Sequence, residues 1–286
     1  MNTNKNFEPL VSVEWLFDHL HLNDIILLDA SLRSSVNGSG IDPVLIDTRI
    51  GNAGYFDIDT RIRDFNSPLP HTMPSPEHFS EEVRRLGVNQ DSIVVVYDKL
   101  GLYSAPRAWW MFKAMGHENV VVLDGGLPAW QQAGFPLNSE PVPLPAPGNF
   151  SATLIHNRLR SADDVLALLG SQHASVLDAR SPERFFGRAP EPREGLRSGH
   201  MPHAINIPFE KVIRDGKMLP SEELVALFAE HTCGDTEREL IASCGSGVTA
   251  CLLLLAAYRI GYSKLALYDG SWSEWGALAN HPITLN

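Results

Sequence analysis

Residues 243–250 read Ser-Cys-Gly-Ser-Gly-Val-Thr-Ala. A β-rich apolar run, Leu240–Ser243, leads into the cysteine. An apolar helical stretch, Thr249–Ile260, follows it and stops at Gly261, a residue suited to the place just after a helix. Cys244 is therefore expected on a strand–loop–helix turn. Gly245 and Gly247 let the backbone curl until successive N–H groups point at one centre. The helix N-terminus adds partial positive charge. Both effects favour a thiolate, the nucleophilic form of cysteine. The plainer reading, a buried structural cysteine on a glycine turn, suits Cys233 and Cys251 better. Three reactions compete for the loop. A cysteine phosphatase needs an arginine six residues after its nucleophile, and that place holds Ala250. A nucleophile elbow needs glycines two before and two after its serine, and Cys244 occupies the first of these around Ser246. A sulfur carrier needs only the thiolate and a nest of amides around a persulfide anion.

A second candidate follows Asp178. Arg180, Arg184, Arg188 and Arg193 are four cations within 14 residues, interrupted by Gly187 and by prolines 182, 190 and 192. Such punctuation predicts an ordered loop at a sheet edge and no helix. The whole chain carries 34 acidic and 23 basic residues, a net charge of −11, so this cluster is a local exception. Arginine forks suit the carboxylate and carbonyl of an α-keto acid. Surface pairing with Glu183, Glu191 and Glu194 is the competing reading.

The elements that must position these residues occur twice. Ser12 opens a helical stretch 17 residues before Asp29, and Ser161 opens another 17 residues before Asp178. Ile93–Tyr97 ends at Asp98, as Leu240–Ser243 ends at Cys244. Val120–Leu123 precedes Asp124-Gly125-Gly126, and Lys264–Tyr268 precedes Asp269-Gly270. Trp130 and Trp275 each stand six residues after the aspartate. Short apolar strands alternating with helical patterns imply parallel sheets covered on both faces, with ligands beyond the strands' carboxyl ends. The fold class is thus α/β in two copies. Alternating prolines at 141, 143, 145 and 147 predict an extended connector. The expected domains are 1–140 and 150–286, joined by 141–149.

Composition bounds the partners. At 286 residues and 44% apolar, the chain has material for two cores. Its acidity argues against nucleic acid as a partner. An odd count of three cysteines suits a reducing compartment. The longest apolar run, Ala250–Tyr258, is too short to span a membrane, and Met1–Pro9 lacks a signal peptide's hydrophobic region. A cytoplasmic protein without a membrane partner is expected. No zinc-spaced Cys/His pair or phosphate-binding lysine motif is present, so no metal or organic cofactor is expected.

The Cys244–Thr249 loop, the paired copies and Tyr268-Asp269-Gly270-Ser271-Trp272-Ser273-Glu274-Trp275 together resemble the tandem rhodanese family. Within it they resemble the branch that takes 3-mercaptopyruvate as sulfur donor. The likeness runs from about Val11 to Pro282. It implies two rhodanese-like domains, the first catalytically silent because Asp98 stands where the second has Cys244. It implies Arg184 and Arg193 as the substrate-binding pair, with Arg180 and Arg188 outside it. It implies a persulfide on Cys244 cradled by amides of Gly245, Ser246, Gly247, Val248 and Thr249. It further implies a proton relay of Ser246, His71 and Asp59, with Asp64 a rival carboxylate because the Asp59–His71 spacing is one residue longer than the family's. The acceptor would be cyanide or a thiol such as thioredoxin. Thiosulfate-specific members carry basic residues directly after the cysteine, whereas Gly245 and Ser246 are neutral. A thiosulfate rhodanese and a non-enzymatic binding module are the alternatives. Ser198–Pro208 resembles a family stretch of structural role, with His200 a hydrogen-bonded turn residue and His203 in place of a glycine. Trp109 and Trp110 read as packing residues.

Overall fold

The computed structural model describes residues 8–33, 43–232 and 234–285, so Cys233 lies outside the described residues. Two compact units divide the chain. One gathers the chain up to Ile62, with Pro76–Thr153 and Asp215–Lys217; the other gathers Arg63–Ser75, Leu154–Arg214 and the chain from Met218 onward. His71 thus belongs to the unit of Cys244, and Asp59 to the other.

Each unit is built on a five-stranded sheet whose pairings are all parallel. The first has β1 (Leu10–Val11), β2 (Ile25–Asp29), β3 (Gly54–Tyr55), β4 (Ile93–Tyr97) and β5 (Val120–Leu123). The second has β6 (Leu159–Arg160), β7 (Ala174–Asp178), β8 (Ile205–Asn206), β9 (Glu239–Ser243) and β10 (Leu265–Tyr268). The orders are β1-β5-β4-β2-β3 and β6-β10-β9-β7-β8, the same topology twice.

Strand alternation explains why the sheets must be covered on both faces. Val95 and Tyr97 of β4 join Val13, Leu16, Leu127 and Trp130 in one core. Val94 and Val96 point the other way, are equally buried, and lie on the side of helix Ala105–Ala114, whose every residue is buried. The second unit repeats this, with Val176, Ile241 and Tyr268 packed on Val165, Trp272 and Trp275. Each such fully buried aliphatic side chain contributes about 1.5–3 kcal/mol.

The two serines that mark the repeat start helices for the same reason. Ser12 Oγ accepts the backbone N–H of Trp15 at the head of helix Val13–His19. Ser161 and Asp164 form a reciprocal capping box at the head of Ala162–Leu168. The proline segment has no helix or strand between 139 and 155. It lies along the first unit, where Gly148 donates its N–H to Arg84 O at 2.8 Å. A side chain at Gly148 would start 2.0 Å from Val88 O, so only glycine fits that approach.

Candidate active site

Cys244 is the first residue after β9, and helix Ala250–Arg259 starts six residues later. Gly247 makes the turn possible at φ +75°. The cysteine is 2% exposed. Its backbone is held on both sides. Its N–H donates to Ser271 Oγ at 3.1 Å, and its carbonyl accepts the N–H of Trp272 at 3.0 Å. The next carbonyl, of Gly245, accepts from Ser273 N–H at 2.9 Å and from Ser273 Oγ at 2.6 Å. From the helix side, Cys251 Sγ donates to Gly247 O at 3.3 Å, a structural use of that thiol.

The equivalent loop of the first unit holds Asp98, which is 1% exposed. Its carboxylate accepts four backbone N–H groups, from Leu100, Tyr103, Ser104 and Ala105, at 2.8–2.9 Å. Burial pushes this carboxyl upward, against the pull of those four donors. The side chain thus fills its own loop's anion cradle. Counting back from the helix starts at Ala105 and Ala250, the donors Tyr103, Ser104 and Ala105 correspond to Val248, Thr249 and Ala250.

The arginine segment folds differently from the expectation of a loop without helix. Pro182–Phe185 forms a single helical turn, because proline is favoured in a first turn whose N–H groups have no partner, and Gly187, at φ +71°, ends it. The four arginines then separate. Arg180 is fully buried: it bonds both oxygens of Asp178, Glu191 Oε1 at 2.8 Å and Gly199 O, and its guanidinium lies 4.0 Å over the Trp272 ring. Glu191 Oε2 turns to Arg184, 2.5 Å from Nη2. Arg188 lies at the surface, 3.7 Å from Glu183 and over the Phe186 ring. Arg193 makes no ion pair with the described residues. Surface pairing therefore accounts for Arg188. Glu191 is instead a buried partner, its side chain 1% exposed.

Arg184 and Arg193 converge where Cys244 begins its loop. A Cβ placed on Gly245 would lie 3.1 Å from Arg184 Nη2, 3.7 Å from Arg184 Nη1 and 3.8 Å from Arg193 Nη1. Gly245 thus keeps open the space that the two guanidinium groups face. Asp178, Arg180, Glu191 and Arg184 cancel in charge, so Arg193 supplies the net positive charge of the cluster.

His71 reaches the same loop. Its Nδ1 lies 3.1 Å from Ser246 Oγ, and its backbone is left-handed at φ +59°. The segment carrying it is tied down where Met73 N–H donates to Asp269 Oδ2 at 2.7 Å. Asp64 Oδ1 accepts Asn66 N–H within that segment. Asp59 Oδ2 accepts Arg33 N–H in the first unit. His200 is buried, donates Nδ1–H to Phe185 O at 2.9 Å and stacks on the Phe185 ring at 3.8 Å; burial holds it below the usual histidine range. His203 sits at φ +62°, a conformation that suits the glycine it replaces.

A rhodanese-like domain model matches the chain twice, over residues 12–133 and 161–278. The chain belongs to the rhodanese family. This rhodanese is 40% identical to the 3-mercaptopyruvate sulfurtransferase of Escherichia coli over 274 residues, covering 96% of each chain. It is 40% identical to the thiosulfate sulfurtransferase of Rattus norvegicus, covering 94% of this chain and 92% of that one. Among solved structures it is similar to SseA of E. coli, a 3-mercaptopyruvate sulfotransferase, with a TM-score of 0.81, 37% identity, and coverage of 93% of this chain and 99% of that one. Identity alone does not separate the two donors; the chemistry around Cys244 has to. Among the described residues, no helix is long and apolar enough to cross a membrane, and no group of three or more His, Cys, Asp or Glu could hold a metal.

Ser271, Ser273 and Asp269 join the site without any signal of their own in the sequence pattern. They were visible only as part of a family-like string, because nothing in local periodicity ties residue 271 to residue 244. Glu191 departs from the expected surface pairing: its buried carboxylate is shared by Arg180, fully buried, and Arg184, partly exposed, an arrangement that only the folded chain produces.

Proposed function

We propose that this rhodanese is a 3-mercaptopyruvate sulfurtransferase with Cys244 as nucleophile. The observation that carries the reading is the convergence of Arg184 and Arg193 on Gly245, beside the thiol. Arg184 spends Nε and Nη2 on Glu191 and keeps Nη1 facing the open space; Arg193 is unspent. Two such groups beside a nucleophile suit a carboxylate-bearing donor. Cys244 thiolate attacks the substrate sulfur. The carbon–sulfur bond breaks, and its electron pair leaves as pyruvate enolate, which is protonated to pyruvate. Ser246 and His71, in hydrogen-bond contact, are the relay for that proton. The product on the enzyme is a Cys244 persulfide, for which the Asp98 loop offers the internal precedent: the corresponding turn, one residue longer, already holds a carboxyl group on backbone N–H groups.

A second thiophile, cyanide or a thiol such as thioredoxin, attacks the outer sulfur and restores the thiolate, giving ping-pong kinetics. The first domain, 1–140, is silent because a carboxylate carries no sulfane sulfur; 141–149 links it to the catalytic domain, 150–286. A cytoplasmic location and small-molecule substrates complete the reading. Donor choice follows from Gly245 and Ser246, which add no charge for a thiosulfate dianion. A basic side chain at 245 would also have to displace Arg184. Pyruvate release and thiocyanate formation, measured with each donor in turn, test this: kcat/KM is expected to be higher for 3-mercaptopyruvate, and a preference for thiosulfate would contradict it. Comparing Asp59→Asn with Asp64→Asn identifies the carboxylate behind His71.

A further inference from the structure

The turn Asp269–Ser273 follows β10 and touches neither end of the proposed reaction, yet it holds the backbone of both reacting parties. Ser271 is completely buried and left-handed, at φ +50°. Non-glycine residues avoid this conformation because Cβ crowds the following carbonyl. The first unit shows what the turn would ordinarily use. At the equivalent place stands Gly126, at φ +52°, and the neighbouring Leu127 N–H bonds Asp98 O at 3.0 Å, just as Trp272 N–H bonds Cys244 O at 3.0 Å. A Cβ on Gly126 would lie 2.3 Å from Asp98 O, so the silent copy has no room for a side chain there. The copy with the cysteine differs at the preceding residue, where Gly270 is right-handed at φ −64° and Gly125 left-handed at φ +82°, but it keeps the left-handed conformation at this position and tolerates a strained serine there.

The hydroxyl explains the strain. Ser271 Oγ accepts Cys244 N–H at 3.1 Å and donates to Tyr268 O at 2.9 Å. One oxygen thus links the end of β10 to the residue that leaves β9, fixing the backbone from which Sγ projects. Two residues earlier, Asp269 Oδ2 accepts Met73 N–H and ties down the segment carrying His71. Strain of this kind persists where the surrounding structure over-determines it, and it gathers at functional sites.

We infer that Ser271 is a positioning residue for Cys244, its left-handed backbone retained for the hydroxyl that orients the nucleophile, and that Asp269 does the same for the His71 segment. The inference rests on Cys244 being the nucleophile. It predicts that stability and function separate. Ser271→Gly removes the hydroxyl and relieves the backbone, so the variant should fold with a Tm at or near that of wild type. Its kcat for pyruvate release should nevertheless fall on the order of 10-fold or more, since small misplacements of a reacting group are costly, with KM little changed. The rate of Cys244 alkylation by iodoacetamide should fall as well. That readout needs no sulfur donor, so it reports on Ser271 even if the donor is not 3-mercaptopyruvate, whereas an inactive wild type would refute the donor assignment alone. Unchanged kcat and alkylation in Ser271→Gly would overturn the proposal. A large drop in Tm would also overturn it, because the hydroxyl would then be holding the fold and not orienting the thiol. For the other half, Asp269→Ala should lower kcat and Asp269→Asn should restore it, because the amide oxygen still accepts from Met73. Equal activity in the two variants would overturn that half.

Discussion

The four arginines differ by what each already touches. Arg184 and Arg193 face the open space at Gly245, so alanine at either should remove a charge-assisted hydrogen bond to the donor's carboxylate. Such bonds are worth about 1.5–3 kcal/mol, roughly a 10- to 150-fold loss in kcat/KM. Steady-state kinetics should place the loss mainly in KM. Arg188→Ala should cost little, since its only described ion pair is exposed and long. Arg180→Ala should fail differently. Removing a guanidinium from between Asp178 and Glu191 leaves the buried Asp178 uncompensated while Glu191 keeps Arg184, at a cost of about 3–5 kcal/mol in stability, visible as a lower urea midpoint. Equal small effects at all four positions would mean that the carboxylate is held elsewhere. The arginines' positions in sequence were legible as a cationic cluster. Their division of labour was not, because it depends on which carboxylates the fold buries.

At the scale of elements, the two loops after β4 and β9 are one device used in two ways. Asp98→Ala should leave four buried N–H groups without their acceptor, costing about 3 kcal/mol or more in unfolding free energy. Denaturant unfolding checks this, and a change below about 1 kcal/mol would show that the cradle readily finds other partners. The turn Pro182–Phe185, which carries Arg184, leans on His200. Burial keeps His200 below its ordinary 6.5, so the unfolded chain takes up the proton first as pH falls. Stability should therefore drop as pH falls below about 6.5, where the unfolded form protonates. His200→Asn, whose side-chain amide can take the place of Nδ1–H toward Phe185 O, should flatten that part of the pH profile. Sequence pattern was enough to locate the three longer strands of each sheet and the serine-started helices, because apolar runs and caps are local; the two-residue edge strands such as Gly54–Tyr55 and Ile205–Asn206 carry no such pattern. It erred on Pro182–Phe185, where prolines and a glycine read as loop although a helical turn of four residues fits between them.

Over the whole molecule, duplication was the most legible feature, since each copy repeats the order of strand, turn and tryptophan at nearly constant offset. Less legible was the allotment of segments: Arg63–Ser75, lying within the first copy by sequence, clusters with the second unit and brings His71 to Ser246. Long-range contacts of this kind leave no periodic trace. The duplication also sets the most direct test of the account, because two like folds carry one thiol at the strand end and one carboxylate. After treatment with 3-mercaptopyruvate and removal of excess donor, intact mass should show one sulfur added per chain, matched by one pyruvate released, and none on Cys244→Ser. Addition of sulfur to the Cys244→Ser variant, at Cys233 or Cys251, would contradict the central claim that Cys244 carries the transferred sulfur.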